Sequence, residues 1–512
     1  MSDVVLRGRG LTIADVVAVA RDGAPVVLAG AARAAVAESA ALVDGFVAAD
    51  APVYGVTTGF GSLADTAIPA TRTAELQLAL VRSHAAGMGP TVEPEVVRAM
   101  QLLRARSLAM ARSGVRPDVI DAQLTLLNRG IVPVVREHGS LGASGDLAPL
   151  AHCALTLLGE GDVLVDGAAR PAAGVLREAG LEPLHLRAKE GLALINGTDG
   201  MLGMLCLALH DLHGLFRVAD IAAALNVEGQ LGTDRAFAAD LQALRPQVGQ
   251  AVSARNLTRL LAGSSIVASH RVGDGRVQDA YSLRCTPQVH GTGIDTWLHA
   301  RTIAERELDA AIDNPMILPD GRVESCGNFH GAPVAAVCDF LSIAISELAA
   351  ISERRTDRAL DATRSRGLPP FLTPDAGVNS GLMIAHYTQA GMAMEAQRLA
   401  VPAATQSLPT SAMQEDHVSN GWAAARKLRR SVDALRRVLA VELVCGAAAV
   451  DLRAPLRPAA GTRAAIDVIR TVAGGPGADR YLSPELRGVE AALDDGSLLG
   501  AVEAAIGELE VA

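Results

Sequence analysis

The sequence predicts a mainly α-helical chain, with a smaller N-terminal domain over residues 1–200 and a bundle of long helices over 201–512 that ends in a helical tail. Hydrophobic residues make up 50% of the 512 positions but aromatics only 3%, so Ala, Leu and Val must fill the interior. That composition favours closely packed helices. Apolar residues recur at spacings of three and four through 201–224, 332–364, 381–399 and 421–451. Segments of that length suggest a central bundle. The chain is long enough for two or more domains and a large core, and it holds no internal repeat or low-complexity tract.

In chain order, the first fifty residues are mixed and Ala-rich, and 50–65 is a Gly/Thr-rich loop. Glu93, Pro94 and Glu95 open a helix that Gly114 closes. Asp146 reads as the N-cap of an apolar helix over 147–158, with Pro149 in its first turn. A small hairpin is expected over 163–170 around Asp166-Gly167. Asn196 stands just before a helix beginning near Asp199, where a cap would sit. Pro455, Pro458 and Gly461 break the tail after Arg453, and two short helices should follow.

Several function classes are excluded. The net charge is −10 and no basic patch carries interleaved aromatics, which argues against nucleic acid. The six cysteines are scattered without a Cys-x-x-Cys, as reduced thiols in a cytosol would be. Met1-Ser2-Asp3-Val4-Val5-Leu6-Arg7 lacks the basic and apolar regions of a signal peptide. The apolar stretch 334–351 carries Asp339 and Glu347 and reads as a core helix, not a membrane span. His210-Asp211-Leu212-His213 imitates metal ligands at helical spacing. No third ligand motif accompanies it, so a helix surface and no metal are expected.

The run Gly139-Ser140-Leu141-Gly142-Ala143-Ser144-Gly145-Asp146-Leu147-Ala148-Pro149-Leu150 carries the chemistry. Gly145 has no side chain, so its nitrogen can approach the Ala143 carbonyl carbon. Closing that ring with loss of water gives an imidazolone. Losing the Ser144 hydroxyl then leaves an exocyclic methylene, an electrophile that no ordinary side chain supplies. A helix N-terminus behind the loop would strengthen its electron withdrawal. The plain alternative is an ordinary turn into a capped helix.

Other motifs follow in order: Val53-Tyr54-Gly55-Val56-Thr57-Thr58-Gly59-Phe60-Gly61, Ser83-His84-Ala85-Ala86-Gly87, Asn196-Gly197-Thr198, and Val277-Gln278-Asp279-Ala280-Tyr281-Ser282-Leu283-Arg284. Asp313-Asn314-Pro315, Asn328-Phe329-His330 and Gln414-Glu415-Asp416-His417 complete the set. In order and spacing, from about residue 50 to about 455, the chain resembles the aromatic amino-acid ammonia-lyase family. Glu415 with Ser83-His84 makes it similar to the branch acting on histidine.

The resemblance implies a fumarase/aspartase-like helical fold and a homotetramer with active sites built from several subunits. It implies a 4-methylidene-imidazol-5-one formed autocatalytically from Ala143, Ser144 and Gly145, with no external cofactor. The implied reaction takes L-histidine to trans-urocanate and ammonia in the cytoplasm. Tyr54 matches the base that removes the β-proton; a free phenol, with a pKa of about 10, needs its phenolate stabilised to do so. Arg284 would grip the substrate carboxylate through paired charge-assisted bonds. Asn196 would bond around the cofactor ring, with Gln278 and Tyr281 lining the cavity. Phe329 would line it too, or simply pack in the core. His84 and Glu415 would hold the substrate ring, and Glu415 would also act on the amine. Tyrosine or phenylalanine ammonia-lyases and aminomutases share this chemistry. An inactive helical scaffold is the alternative of another class. His290 and Cys326 stand beside these motifs without a role.

Overall fold

The computed structural model describes residues 3–49, 53–63, 65–165 and 167–511. Helices dominate, and the strands are short and gathered in small sheets of two or three. The chain divides into two compact units made of discontinuous segments. One comprises Met1–His210, Arg301–Asp339 and Pro402–Arg426, and the other Asp211–Ala300, Phe340–Val401 and Lys427–Ala512.

In the first unit, parallel strands Val4–Leu6 and Val26–Leu28 flank the helix Ile13–Ala20. A reciprocal Thr12–Asp15 capping box starts that helix. Pro94–Leu108 begins with Pro in its first turn and is buried along nearly its whole length. It stops six residues short of Gly114, because the chain turns at Ala111, whose φ is +58°. Gly114 itself lies at φ +71° in the following loop. Strand Asp162–Val165 pairs antiparallel with Ala168–Pro171, which is the expected hairpin; Asp166 at its turn lies outside the described residues. Residues 50–52 and 64 of the Gly/Thr-rich loop, and Met1 and Ser2, also lie outside them. Trp422 is buried and donates from Nε1 to the Glu137 carbonyl at 2.7 Å.

The expected long helices are Asp199–Gly229, Ala332–Leu360, Met383–Leu399 and Gly421–Asp451. Sequence periodicity missed a fifth, Thr286–Leu308. Pro287, Gly291 and Gly293 interrupt its apolar pattern. Gly291 is there for contact: a Cβ on it would strike the backbone of Gln250 in the helix Val248–Leu260. The tail folds into three helices, Ala460–Val472, Ser483–Asp494 and Ser497–Ile506, where two were expected. Gly461 does not break the chain. It opens the first of these helices, where a larger residue would press on Ile506. Asp199–Gly229 and Ala332–Leu360 are long and apolar enough to cross a membrane, but most of each apolar stretch is buried in the protein, as in a core helix.

His290 belongs to a buried polar network in the second unit. Its Nδ1 donates to Asp220 Oδ1 at 2.7 Å, and Ser253 Oγ donates to the same oxygen at 2.6 Å. Arg355 grips Glu442 through two bonds of 2.5 and 3.0 Å, and Ser352 Oγ adds a third at 2.5 Å. Both members of that ion pair are fully buried. Arg355→Met would strand the Glu442 charge and should lower stability by about 3–5 kcal/mol. A lowered denaturant midpoint would show it, and Arg355→Met/Glu442→Leu should recover a large part of the loss.

Candidate functional site

The Ser144 loop is fixed from both sides. Asn420 N donates to the Leu141 carbonyl at 2.9 Å, and Ser419 Oγ donates to the Gly142 carbonyl at 3.0 Å. Beyond it, Gly145 bridges to Gly197, and Asp146 N donates to the Gly197 carbonyl at 2.7 Å. Gly145 has φ +75°, and an added Cβ would fall on that same carbonyl. Only glycine fits, for both conformation and space. The residues thus suit a backbone cyclisation: a side-chain-free nitrogen at 145 and a half-buried Ser144 with a bonded hydroxyl.

Ser144 Oγ donates to Asn196 Oδ1 at 2.5 Å. Asn196 ends the short helix Glu190–Ile195 and does not cap the next one. Its Nδ2 donates to Asp313 Oδ1 at 2.9 Å and to the Asn314 carbonyl at 3.0 Å. Lys189 Nζ donates to the other Asp313 oxygen at 2.7 Å. Arg104 Nη1 donates to the Asn196 carbonyl at 2.7 Å and faces Asp199 at 3.2 Å. Cys326 Sγ lies 3.5 Å from the Asp313 carbonyl.

Asp146 corrects a sequence expectation. It stands at the N-cap position of Leu147–Leu157, yet its side chain makes no bond to that helix. Its Oδ2 instead accepts from Gly200 N at 3.0 Å and Met201 N at 2.9 Å, the first turn of Asp199–Gly229. Ser140 Oγ donates to Oδ1 at 3.0 Å. A local pattern assigns a cap to the nearest helix, whereas here the cap crosses 54 residues of chain. Burial pushes the Asp146 carboxyl up to about 7, against the lowering effect of these bonds.

A second group gathers Tyr54, His84 and Glu415. Gly61 N donates to the Tyr54 hydroxyl at 3.1 Å. Gln77 anchors the Tyr54 loop, donating from Nε2 to the Gly55 carbonyl at 3.2 Å and accepting from Leu192 N at 3.0 Å. Thr410 Oγ1 donates to Glu415 Oε2 at 2.9 Å. His84 ends the helix Thr73–His84 and donates from Nδ1 to the Leu80 carbonyl at 2.9 Å, which leaves Nε2 for a ligand. Burial lowers the His84 imidazole below its usual range, while the Leu80 carbonyl and the Glu415 charge oppose this. Burial raises the Tyr54 phenol, and the Glu415 charge raises it further against the Gly61 bond.

Gln278, Tyr281 and Arg284 belong to the second unit. Gln278 is exposed and Tyr281 is 71% exposed. Arg284 Nε donates to the Asp279 carbonyl at 2.9 Å, and its guanidinium lies 4.5 Å from the centre of the Tyr281 ring. Phe329 is half-buried. Beside it, His330 stacks on His417 at 5.7 Å. In the His210–His213 motif, His213 Nδ1 meets Arg217 Nη2 at 3.0 Å and its ring packs on Trp297, while Asp211 meets Arg429 at 2.7 Å. Among the described residues no three His, Cys, Asp or Glu side chains gather as metal ligands.

The sequence model of the aromatic amino acid lyase family matches residues 11–471. The chain belongs to the aromatic amino acid lyase family. It is 56% identical to a curated histidine ammonia-lyase of Streptomyces avermitilis, across 99% of this chain and 100% of that protein. A curated histidine ammonia-lyase of Gloeobacter violaceus is 49% identical over 99% of both. The fold matches a solved tyrosine aminomutase from Streptomyces globisporus at TM-score 0.94, with 36% identity and 99% and 100% coverage. It matches a solved histidine ammonia-lyase from Trypanosoma cruzi at TM-score 0.90, with 38% identity and 98% and 96% coverage. These likenesses agree with the expected mainly α, fumarase/aspartase-like fold.

In this aromatic amino acid lyase, sequence reasoning passed over Lys189 and Thr410. Lys189 left one signal: it is one of only two lysines among 46 basic residues. Thr410 left none, because its value lies in its bond to Glu415.

Two measurements check these electrostatics. Glu415→Gln removes a charge that raises Tyr54, so the phenol should ionise at lower pH. Ultraviolet titration, with Tyr54→Phe as blank, would reveal that shift. Folded Asp146 keeps its proton where the unfolded chain has released it, so its contribution is largest at low pH and drains between about 4 and about 7. Across that window, wild-type stability relative to Asp146→Asn should fall by up to about 1.4 kcal/mol per pH unit, then level off. Denaturant titrations of both proteins against pH would trace this difference.

Proposed function

We propose that this chain is a carbon–nitrogen lyase acting on L-histidine, which it converts to trans-urocanate and ammonia as a step of histidine degradation. Likeness to the Streptomyces protein over nearly the whole length supports the reaction class. The observation that carries the substrate is Glu415, held by Thr410 within electrostatic reach of His84 and Tyr54. An imidazole needs polar partners when desolvated and a phenyl ring needs none. Burying that carboxylate against a phenyl ring would leave it unpartnered, at a cost of roughly 1–3 kcal/mol.

The 4-methylidene-imidazol-5-one formed from Ala143, Ser144 and Gly145 would supply the electrophile that activates the substrate. Tyr54 removes the β-proton. Burial, with the Glu415 charge adding to it, raises its phenol in the free chain, so nearby positive charge is needed to stabilise the phenolate. His84 Nε2 and Glu415 bind the imidazole, and Glu415 also acts on the amine. Asn196 bonds around the ring, and Phe329 covers the cavity. Arg284 spends Nε on Asp279 and offers its Nη pair to the substrate carboxylate. Gln278 and Tyr281 are exposed in the second unit, beside the half-buried Arg284, as residues supplied to another copy would be. The family resemblance implies a homotetramer whose sites draw on several copies, and that is the assembly proposed. Six free cysteines suit a reducing cytoplasm.

The test is a panel of L-histidine, L-tyrosine and L-phenylalanine, with Glu415→Gln, Glu415→Ala and Tyr54→Phe beside wild type. Histidine should be preferred by roughly ten- to a hundredfold, and both Glu415 variants should erode that preference. Tyr54→Phe should lose about 10²-fold or more in turnover with the fold kept. Preference for tyrosine, or an amino-shifted product, would move the chain toward the aminomutases it matches in fold.

A further inference from the structure

Lys189 is an unusual residue for its position. Its φ is +67°, in the left-handed region that a lysine rarely adopts. Its side chain is 0% exposed. Strain and burial of this kind persist where surrounding structure over-determines them. Its ammonium meets Asp313 Oδ2 at 2.7 Å, and Asp313 Oδ1 takes one hydrogen of the Asn196 amide at 2.9 Å. The other amide hydrogen goes to the Asn314 carbonyl at 3.0 Å. With both hydrogens committed to groups that only accept, Asn196 presents its oxygen to Ser144.

We propose that the Lys189–Asp313 pair is a positioning device for maturation of the Ala143-Ser144-Gly145 loop: it fixes the Asn196 amide as an acceptor, which readies the Ser144 hydroxyl to leave. The inference rests on the reading that this loop cyclises and dehydrates. In the first step Gly145 N bonds to the Ala143 carbonyl carbon. The Ala143 oxygen then departs as water with the Gly145 and Ser144 amide hydrogens. In the second step the Ser144 Cα–H and Cβ–Oγ bonds break, Cα and Cβ become doubly bonded, and the hydroxyl and the Cα hydrogen leave as the second water. Because its own hydrogen is given to Asn196, Ser144 Oγ keeps its lone pairs open to the incoming proton. A flipped amide would donate to Oγ and occupy one of them. Lys189 and Asp313 touch no reacting atom and act through Asn196.

The experiment is intact-mass measurement of the purified full chain for wild type, Lys189→Met, Asp313→Leu and the double variant. Circular dichroism and thermal unfolding on the same samples establish folding. Wild type should be two waters lighter than its sequence mass. In the folded single variants the fully dehydrated fraction should fall about tenfold or more, leaving chains short of one water or none. The double variant strands neither charge, so it decides the matter if the single variants fail to fold, and it should show the same defect. Folded variants dehydrated as fully as wild type would overturn the inference. Wild type at full sequence mass would instead sink the maturation reading, so the two failures read apart.

Discussion

Ser144 stands on buried charge, and the pairing of that charge constrains everything around it. Lys189, Asp313, Arg104 and Asp199 are almost wholly out of water. Each ion costs several kcal/mol to desolvate, and only good geometry with its partners offsets this. Lys189 therefore needs Asp313, Asp313 needs the Asn196 amide, and Arg104 ties the Asn196 backbone to Asp199. A loop resting on such a set has little freedom to drift.

The elements of the first unit are disposed around that requirement. The helix Glu190–Ile195 ends where Asn196 must turn toward Ser144, and Asp199–Gly229 begins three residues later. Asp146 joins the two stretches by capping the second helix from the far side of the loop. Trp422 lies over Gly200, where even a methyl group would clash with the indole. Gln77 ties the Tyr54 loop to the same short helix. The catalytic candidates are thus placed by the hydrogen bonds and packing of neighbouring side chains.

Much of this was legible in the chain. Long helices announce themselves by apolar spacing, and the Ser144 run signals a position at Gly145 that only glycine can fill. What escaped was non-local. Thr286–Leu308 was hidden by Gly291, which serves a neighbouring helix and so spoils its own helix's pattern. Gly461 read as a breaker because its partner, Ile506, lies 45 residues away. Asp146 looked like a cap for the adjacent helix because sequence shows only adjacency. Lys189 and Thr410 carry no motif, since their worth lies in the atoms they meet. Tyr54, His84 and Glu415 were read as motif members, but their sequence positions do not show that burial raises the Tyr54 phenol, with the Glu415 charge adding to it.

The chain carries two tryptophans, and they fall one to each compact unit: Trp422 in the first and Trp297 in the second, both buried. With so few competing chromophores, each indole is a private optical reporter. Replacing either with phenylalanine would leave emission from a single unit. The melting of the loop-bearing unit could then be followed separately from that of the helical one, in the same protein and without an attached dye.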